Sequence, residues 1–181
     1  MEYGFSETPF GKIIVLKTAK GVRELQFADD VDGQTLQKTM ARAGQGVTFR
    51  QDDDMARGVW TAFAEGREDQ IRLDMQGTPF QQRVWAALRH VASGTTVSYS
   101  ELARMTDMPQ AVRSVASAVA RNPIALLIPC HRVVHLDGST GEYHWGRHRK
   151  RQLIEWERDR AAVKHIGKRG THVRHHSQRT F

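Results

Sequence analysis

The sequence predicts two small units, an α/β unit followed by a mainly helical one. In short β-branched segments up to Met75, apolar and polar residues alternate, which is the pattern of strands with one buried face. From Thr78 onward, apolar residues recur at intervals of three and four, as on one face of a helix. A chain of 181 residues with 39% hydrophobic residues is long enough for one domain or two small ones that share an interface. We place the boundary at Gly77, where the pattern changes.

The α/β unit, residues 1–76, begins with a predicted β-hairpin. The segment 12–18 is rich in β-branched side chains and 21–27 alternates after a glycine, so the two are predicted to pair as antiparallel strands. The acidic run at 52–54 precedes a predicted helix, where carboxylates are favoured by the helix dipole, and we prefer this interpretation to a metal site. The other predicted elements of this unit are helices over 34–43 and 55–64 and short strands over 46–50 and 71–75.

The helical unit begins with Thr78 as the N-cap and Pro79 at the first helical position. Ser98 and Glu101 have the spacing of a capping box, which predicts the start of a second helix. A third helix is predicted over 111–121, and these last two helices with a tight turn between them resemble a helix-turn-helix. The third helix is rich in small residues, which suits either close approach to a DNA minor groove or tight helix packing.

The formal charge of +7 indicates an anionic partner, and nucleic acid is the most common one. Most of the excess lies in residues 146–181, which carry 11 basic and 3 acidic side chains, whereas residues 1–76 carry 10 and 13. We expect residues 161–181 to form a disordered basic tail that adds salt-sensitive attraction to DNA. Apolar runs reach only five residues and the N-terminus lacks the features of a signal peptide, so no membrane partner is expected.

Cys130 is the only cysteine of the chain. A single thiol excludes an intramolecular disulfide and a zinc site built from several thiolates, and it fits the reducing cytoplasm. A cysteine behind an apolar run is commonly an inert buried thiol. His131 and Arg132 follow it directly, however, and basic neighbours favour the nucleophilic thiolate.

The most specific segment of the sequence is Ile-Pro-Cys-His-Arg-Val-Val at 128–134. It resembles the hallmark of the O6-alkylguanine-DNA alkyltransferases, also called methylated-DNA–protein-cysteine methyltransferases. The resemblance extends from about Tyr3 to Glu157 and includes Gly-Thr-Pro-Phe-Gln-Gln, Thr-Val-Ser-Tyr-Ser-Glu-Leu-Ala, Ala-Val-Arg-Ser-Val-Ala and Arg-Asn-Pro in the family's order. The segment Gly-Glu-Tyr-His-Trp-Gly at 141–146 is most similar to the bacterial Ogt proteins and the C-terminal domain of Ada.

The resemblance implies that Cys130 attacks the alkyl carbon on guanine O6 and becomes a stable thioether, so that each molecule acts once. His131 is implied to act as the base through a bridging water, with Glu157 orienting its imidazole. Tyr99 is implied to donate a hydrogen bond toward N3 of the purine, whereas a core tyrosine is the alternative from the sequence alone. Asn122 is implied to tie the third predicted helix to the cysteine loop, although an Asn before Pro is also a common helix stop. No cofactor or metal is implied.

The implied partner is double-stranded DNA that contains alkylated bases, with O6-alkylguanine as the main lesion and O4-alkylthymine left open. Arg113 corresponds to the family's arginine finger, which fills the stack that a flipped nucleotide leaves. A surface phosphate contact is the alternative for this residue. A monomer is expected, and cooperative binding along DNA is left open. The further residues assigned to DNA binding are Ala111, Ser114, Ser100, Arg132 and Asn122, and the basic residues at 147–151 are candidate contacts to the DNA backbone.

The substrate pocket is expected to be lined by Tyr143, His144, Trp145 and Val133. Many relatives have small residues in this loop, so the indole of Trp145 is expected to narrow the pocket and to favour methyl over benzyl groups. With one cysteine, neither the structural zinc of some relatives nor the cysteine-rich domain with which Ada repairs phosphotriesters and activates transcription is expected.

The resemblance implies a small ribonuclease-H-like α/β domain at 1–76 and a winged-helix-like domain with the helix-turn-helix at 77–160. Two other function classes fit parts of the sequence. Alkyltransferase-like proteins bind lesions without repairing them, but they replace the acceptor cysteine that this chain retains at Cys130. A helix-turn-helix regulator would not require the Cys-His-Arg segment and the distal glutamate.

Overall fold

A four-stranded sheet forms the first part of the molecule, for which a computed structural model describes residues 1–29 and 33–169. The strands are β1 (Glu2–Ser6), β2 (Ile13–Thr18), β3 (Gly21–Phe27) and β4 (Arg50–Gln51). They lie in the order β3-β2-β1-β4; β2 pairs antiparallel with both β1 and β3, and β1 pairs parallel with β4. The predicted hairpin of β2 and β3 is therefore confirmed.

Strand β1 was not predicted, because Gly4 at its centre weakens the strand pattern. A Cβ atom on Gly4 would lie 2.0 Å from the carbonyl oxygen of Asp52, so glycine permits the chain to pass this close. Asp52 then caps helix α2 (Asp53–Ala64), and Asp53 accepts a hydrogen bond from the backbone nitrogen of Phe5 at 2.9 Å. The acidic run thus begins a helix, as predicted.

Two predicted strands are shorter than expected. The strand at 46–50 is reduced to β4, and the segment 71–75 makes a single bridge, between Leu73 and Val22. The side chain of Asp74 accepts a hydrogen bond from a threonine of β2 at 2.8 Å. The segment is therefore held to β3 by two backbone hydrogen bonds, from Val22 to Arg72 and from Asp74 to Val22, and by the side chain of Asp74, without a continued ladder.

Thr78 and Ser98 are helix N-caps, as predicted, and Thr78 also forms a capping box, which was predicted only for Ser98. Each hydroxyl accepts a hydrogen bond from the backbone nitrogen three residues later, and the side chains of Gln81 and Glu101 accept one from the cap residues. These local interactions begin α3 and α4 at the predicted positions. The remaining helices are α1 (Gln34–Ala43), α3 (Pro79–Leu88), α4 (Tyr99–Met105), α5 (Val112–Ala120) and α6 (Arg147–Arg169).

Helix α6 was not predicted, because its sequence is dominated by charged residues. Leu153 and Ile154 bury one face of it, and Trp156 stacks on Phe63 of α2 with ring centroids 5.9 Å apart. The helix continues through 161–169, where alanines of high helix propensity follow, so this part of the expected disordered tail is helical. The rest of the predicted tail lies outside the described residues. None of the helices in the described part of the chain has the length and apolar character needed to cross a membrane.

Two sets of backbone contacts fix the position of the segment that contains Cys130, residues 123–134. The nitrogen of Leu25 in β3 donates to the oxygen of Pro123 at 3.1 Å, and the nitrogen of Ala125 donates back to the oxygen of Leu25 at 2.9 Å. The short strands β5 (Val97–Ser98) and β6 (Val133–Val134) then pair in parallel. Because α4 follows β5 directly and the cysteine turn precedes β6, this pair brings the start of α4 to the cysteine.

Candidate active site

Cys130 begins a 3-10 turn, Cys130–Arg132, at the end of a fully buried segment. Its backbone nitrogen donates to the oxygen of Ile128 at 2.8 Å, and its Sγ atom accepts a hydrogen bond from Nδ2 of Asn122 at 3.2 Å. Burial raises the pKa of the Cys130 thiol from 9.0 to about 11, and the Asn122 hydrogen bond and the charge of Lys150 only partly oppose this. The resting side chain is therefore a neutral thiol that needs a base to react.

Asn122 joins the end of α5 to the cysteine segment. Its Nδ2 atom also donates to the oxygen of Ile128 at 2.8 Å, and its Oδ1 atom accepts from the nitrogen of Ile124 at 2.9 Å. The residue is 4% exposed, so its assignment to DNA binding is wrong, because these buried bonds keep it from the surface. The hydrogen bonds of Asn122 instead connect the end of α5 to the residues around Cys130, which is the other position that the resemblance implied for it.

His131 and Glu157 form a buried pair, with Nε2 and Oε1 2.8 Å apart. Glu157 also accepts hydrogen bonds from Arg132 and from the backbone nitrogen of Gly94. Burial alone would raise the pKa of Glu157, but the imidazole and the guanidinium outweigh it and lower the pKa to about 2. Since an ionised carboxylate only accepts, Nε2 of His131 carries the proton and Nδ1 carries the lone pair. No described residue hydrogen-bonds this buried Nδ1 atom.

Arg132 points into the protein, so its assignment to DNA binding is wrong. It is 2% exposed, and its Nε and Nη2 atoms donate to both oxygens of Glu157 at 2.9 and 2.8 Å. Nη1 donates to the oxygen of Val91 at 2.6 Å, and Nη2 also reaches Glu68 at 3.1 Å. A planar guanidinium satisfies these acceptors at once, which explains its burial. Its function in this structure is to hold Glu157.

A cavity of about 250 Å³ opens beside Cys130. Of the predicted pocket residues, Tyr143, His144 and Trp145 line it, as does Tyr99. Val133 does not: it is fully buried in β6, where its side chain belongs to the core, so this assignment is wrong. The other lining residues are Val119, Ala120, Glu142 and Lys150. Lys150 was expected to be a candidate contact to the DNA backbone, but it is 1% exposed and faces the cavity, so that expectation is wrong for this residue.

The tyrosines of the cavity keep their protons at neutral pH. Burial raises the pKa of Tyr99, and it raises that of Tyr143 well above the ordinary value. The hydroxyl of Tyr143 is buried and has no hydrogen-bond partner among the described residues. Trp145 is fixed in the wall by a 2.9 Å hydrogen bond from its Nε1 atom to Oε1 of Gln26 in β3.

The outer face of α5 is available to a partner. Arg113 and Ser114 are exposed, and Ala111 and Ser100 are half-buried next to them. Ala118, on the opposite face, is buried, and its carbonyl accepts a 2.8 Å hydrogen bond from the indole of a tryptophan in α3. Some of the small residues of α5 therefore pack against α3, and others lie on the surface.

Across residues 1–29 and 33–169, no group of three or more His, Cys, Asp or Glu side chains is arranged to hold a metal ion. The candidate chemistry of the site rests on the side chains already described. They supply a thiol and phenol hydroxyls in the wall of one cavity, and next to the thiol a buried imidazole whose Nδ1 atom has no hydrogen-bond partner among the described residues.

Comparison with known proteins gives consistent matches. Residues 79–159 match the family model described as 6-O-methylguanine DNA methyltransferase, DNA binding domain. The methylated-DNA–protein-cysteine methyltransferase of Mycobacterium leprae is 36% identical over 153 residues, which cover 84% of this chain and 89% of the relative. The crystal structure of Mycobacterium tuberculosis OGT in complex with DNA has a TM-score of 0.72 at 31% identity and covers 88% of this chain and 94% of that one.

A longer relative matches over part of its length. The bifunctional transcriptional activator/DNA repair enzyme Ada of Escherichia coli strain K12 is 37% identical over 161 residues, which cover 87% of this chain and 45% of Ada. The chain therefore spans less than half the length of this relative.

Proposed function

The chain belongs to the family of methylated-DNA–protein-cysteine methyltransferases, and we propose that it repairs DNA by transferring a methyl or small alkyl group from O6-alkylguanine to Cys130. The observation that carries the proposal is the position of Cys130 in the wall of a cavity and directly beside the buried His131–Glu157 pair. A thiol, a base and an orienting carboxylate are the groups that nucleophilic transfer requires. O4-alkylthymine is a second lesion that the same chemistry could serve.

His131 is the proposed base for the Cys130 thiol. Burial lowers the pKa of His131, so the imidazole is neutral at pH 7 and its Nδ1 lone pair is free to accept a proton. Glu157 holds the ring and stabilises the imidazolium as it forms. We propose that a bridging water carries the proton from Sγ to Nδ1.

Tyr99 is the proposed donor to the leaving base. Its hydroxyl keeps its proton at neutral pH and faces the same cavity as Cys130, so it can donate toward N3 of the purine. As the bond from Sγ to the alkyl carbon forms, the bond from that carbon to O6 breaks. The thiol proton passes to His131, Tyr99 donates a proton to the departing guanine, and Tyr99 recovers a proton from the imidazolium through solvent, so that one proton moves in total from the thiol to the guanine. A thioether on Cys130 does not revert under cellular thiols, so each molecule acts once.

The exposed face of α5 is the proposed contact to duplex DNA. The target atom is inaccessible inside the duplex, and flipping the nucleotide out costs a few kcal/mol. Arg113 is exposed at the start of α5, where it can fill the vacated stack. Ser114, Ala111 and Ser100 lie around it and present little bulk, which favours close approach of the helix to the groove.

We further propose that residues 1–76 form a ribonuclease-H-like domain and residues 77–160 a winged-helix-like domain. Helices α4 and α5, with the turn at 106–111, are the proposed helix-turn-helix, and they pack on each other and on α3. The single free thiol favours a reducing cytoplasm as the compartment. The proposed partner is double-stranded DNA with alkylated bases, bound by a monomer.

The experiment is intact-mass analysis after incubation with duplex DNA that contains O6-methylguanine. We expect a gain of one methyl group, located on Cys130 by peptide mapping and absent in Cys130→Ala. Tight binding to the lesion without a mass gain would support a lesion-sensing protein instead. Binding that does not depend on the lesion would support a helix-turn-helix regulator.

A further inference from the structure

Lys150 is a buried cation without a carboxylate partner. It is 1% exposed and lies on α6, where it lines the cavity beside Cys130. Its Nζ atom donates one hydrogen bond of 3.3 Å, to the backbone oxygen of Glu142, and no ion pair of Lys150 exists among the described residues. The carboxylate of Glu142 pairs with Arg147 on the exposed side. Burying a cation without compensation is unfavourable, and burial accordingly lowers the pKa of Lys150 to about 8.

A second group in the cavity also lacks a partner. The hydroxyl of Tyr143 is buried, hydrogen-bonds no described residue and keeps its proton at neutral pH. Cys130 does not compensate Lys150 in the resting protein, because its thiol is neutral. The cavity therefore presents an ammonium group that forms no ion pair among the described residues and a phenol donor that has no acceptor among them. Glu142 also lines the cavity, but its carboxylate is paired with Arg147.

We propose that this pocket accepts O6-alkyl groups that end in a carboxylate, with carboxymethyl as the smallest, and that Lys150 binds the carboxylate. The inference rests on the proposed function. An ammonium and a phenol hydroxyl are the donors that an anionic group requires when it leaves water. A carboxymethyl group is also small, which suits a pocket narrowed by Trp145.

The transfer needs no further reactant. The bond between O6 and the methylene carbon breaks as the bond from Sγ to that carbon forms. The thiol proton of Cys130 passes to His131, and Tyr99 protonates the departing guanine and is itself reprotonated from the imidazolium through solvent. The product is S-carboxymethylcysteine, whose carboxylate stays beside Lys150. The attacking sulfur becomes negative as it approaches a negative group, and Lys150 offsets that repulsion.

The first test compares duplexes that contain O6-carboxymethylguanine, its neutral isostere O6-carbamoylmethylguanine, and O6-methylguanine. Single-turnover rates are measured for the wild-type chain, Lys150→Met, and Arg158→Met as a matched control on the exposed side of α6. We expect the carboxymethyl-to-carbamoylmethyl rate ratio to fall at least tenfold in Lys150→Met, equivalent to about 1.4 kcal/mol, and to be unchanged in Arg158→Met. An unchanged ratio in Lys150→Met would overturn the inference, even if both rates fall.

The second test needs no DNA. Iodoacetate and iodoacetamide deliver the same two groups directly to Cys130, the one thiol of the chain. We expect the iodoacetate-to-iodoacetamide rate ratio to fall at least tenfold in Lys150→Met, with Lys150→Gln as the second variant if Lys150→Met does not fold. Equal ratios in the wild type and the variant would contradict carboxylate binding by Lys150. Absence of methyl transfer from DNA, with the reagent ratio still dependent on Lys150, would reject the proposed function and keep the anion site.

Discussion

Nδ2 of Asn122 lies 3.2 Å from Sγ of Cys130, and both side chains are buried. This amide is the polar side chain that hydrogen-bonds the thiol, and the same nitrogen holds the backbone oxygen of Ile128. One residue at the end of α5 therefore sets both the position of the cysteine segment and the environment of its sulfur. Movement of α5, the proposed DNA-contacting helix, would therefore shift Asn122 and change its hydrogen bond to Sγ of Cys130.

We expect Asn122→Ala to reduce the transfer rate at least tenfold and to lower the free energy of unfolding by about 2 kcal/mol. The first effect follows because the developing thiolate loses a hydrogen-bond donor, and the second because buried backbone groups lose their partner. Single-turnover transfer and urea unfolding measure the two effects separately. Transfer at the wild-type rate by a variant that remains folded would show that the hydrogen bond to sulfur is not used.

The second prediction concerns acid stability and Glu157. Its pKa is lowered from 4.5 to about 2 in the folded protein, so it contributes stability above pH 4.5 that is lost as the pH falls toward 2. At 1.36 kcal/mol per unit, the contribution is about 3 kcal/mol. Urea unfolding from pH 7 to pH 2 should therefore show a loss of stability in this interval that is much smaller in Glu157→Gln. Parallel pH curves for the two proteins would contradict the pair geometry described here.

Local features of the site could be predicted from the sequence, whereas contacts between distant residues could not. The N-caps at Thr78 and Ser98 were predicted correctly because each depends on residues within three positions of the cap. Arg132 was assigned to DNA binding with the residues that the family resemblance implied, and nothing in its local sequence indicated burial. Its actual partners, Glu68 and Glu157, are distant in the sequence, and their approach depends on how α6 packs.

The burial of Lys150 on the charged helix α6 also could not be predicted from the sequence. The sequence around Lys150 is a basic run without a clear apolar stripe, so α6 was missed, and with it the position of this side chain. Only the packing of Leu153 and Ile154 into the core turns Lys150 inward. The identity of the cysteine segment could be predicted from its residues, whereas the electrostatics of the cavity depend on tertiary contacts.

The third prediction tests the proposed finger. We expect Arg113→Ala to slow transfer from duplex DNA by about 10- to 100-fold, because refilling the stack offsets part of a flipping cost of a few kcal/mol. Transfer from the free base O6-methylguanine should be unchanged, since no nucleotide has to be flipped. Arg121→Ala, an exposed arginine at the other end of α5, is the matched control. Equal effects of the two variants on duplex DNA would indicate general phosphate attraction instead.

The fourth prediction concerns the size of the accepted group and Trp145. The indole lines the cavity beside Tyr143, with ring centroids 5.2 Å apart, and its hydrogen bond to Gln26 prevents it from swinging away. Benzyl groups should therefore react more slowly than methyl groups in the wild-type chain when both are supplied as free O6-alkylguanine bases. Trp145→Ala opens the wall and should raise the benzyl-to-methyl rate ratio by about tenfold, which corresponds to about 1.4 kcal/mol of relieved crowding. Trp145→Phe, which keeps an aromatic ring but loses the bond to Gln26, should lie between the two. Equal methyl and benzyl rates in the wild-type chain would show that Trp145 does not limit the pocket, because a fixed indole that restricts access must discriminate between groups of such different size.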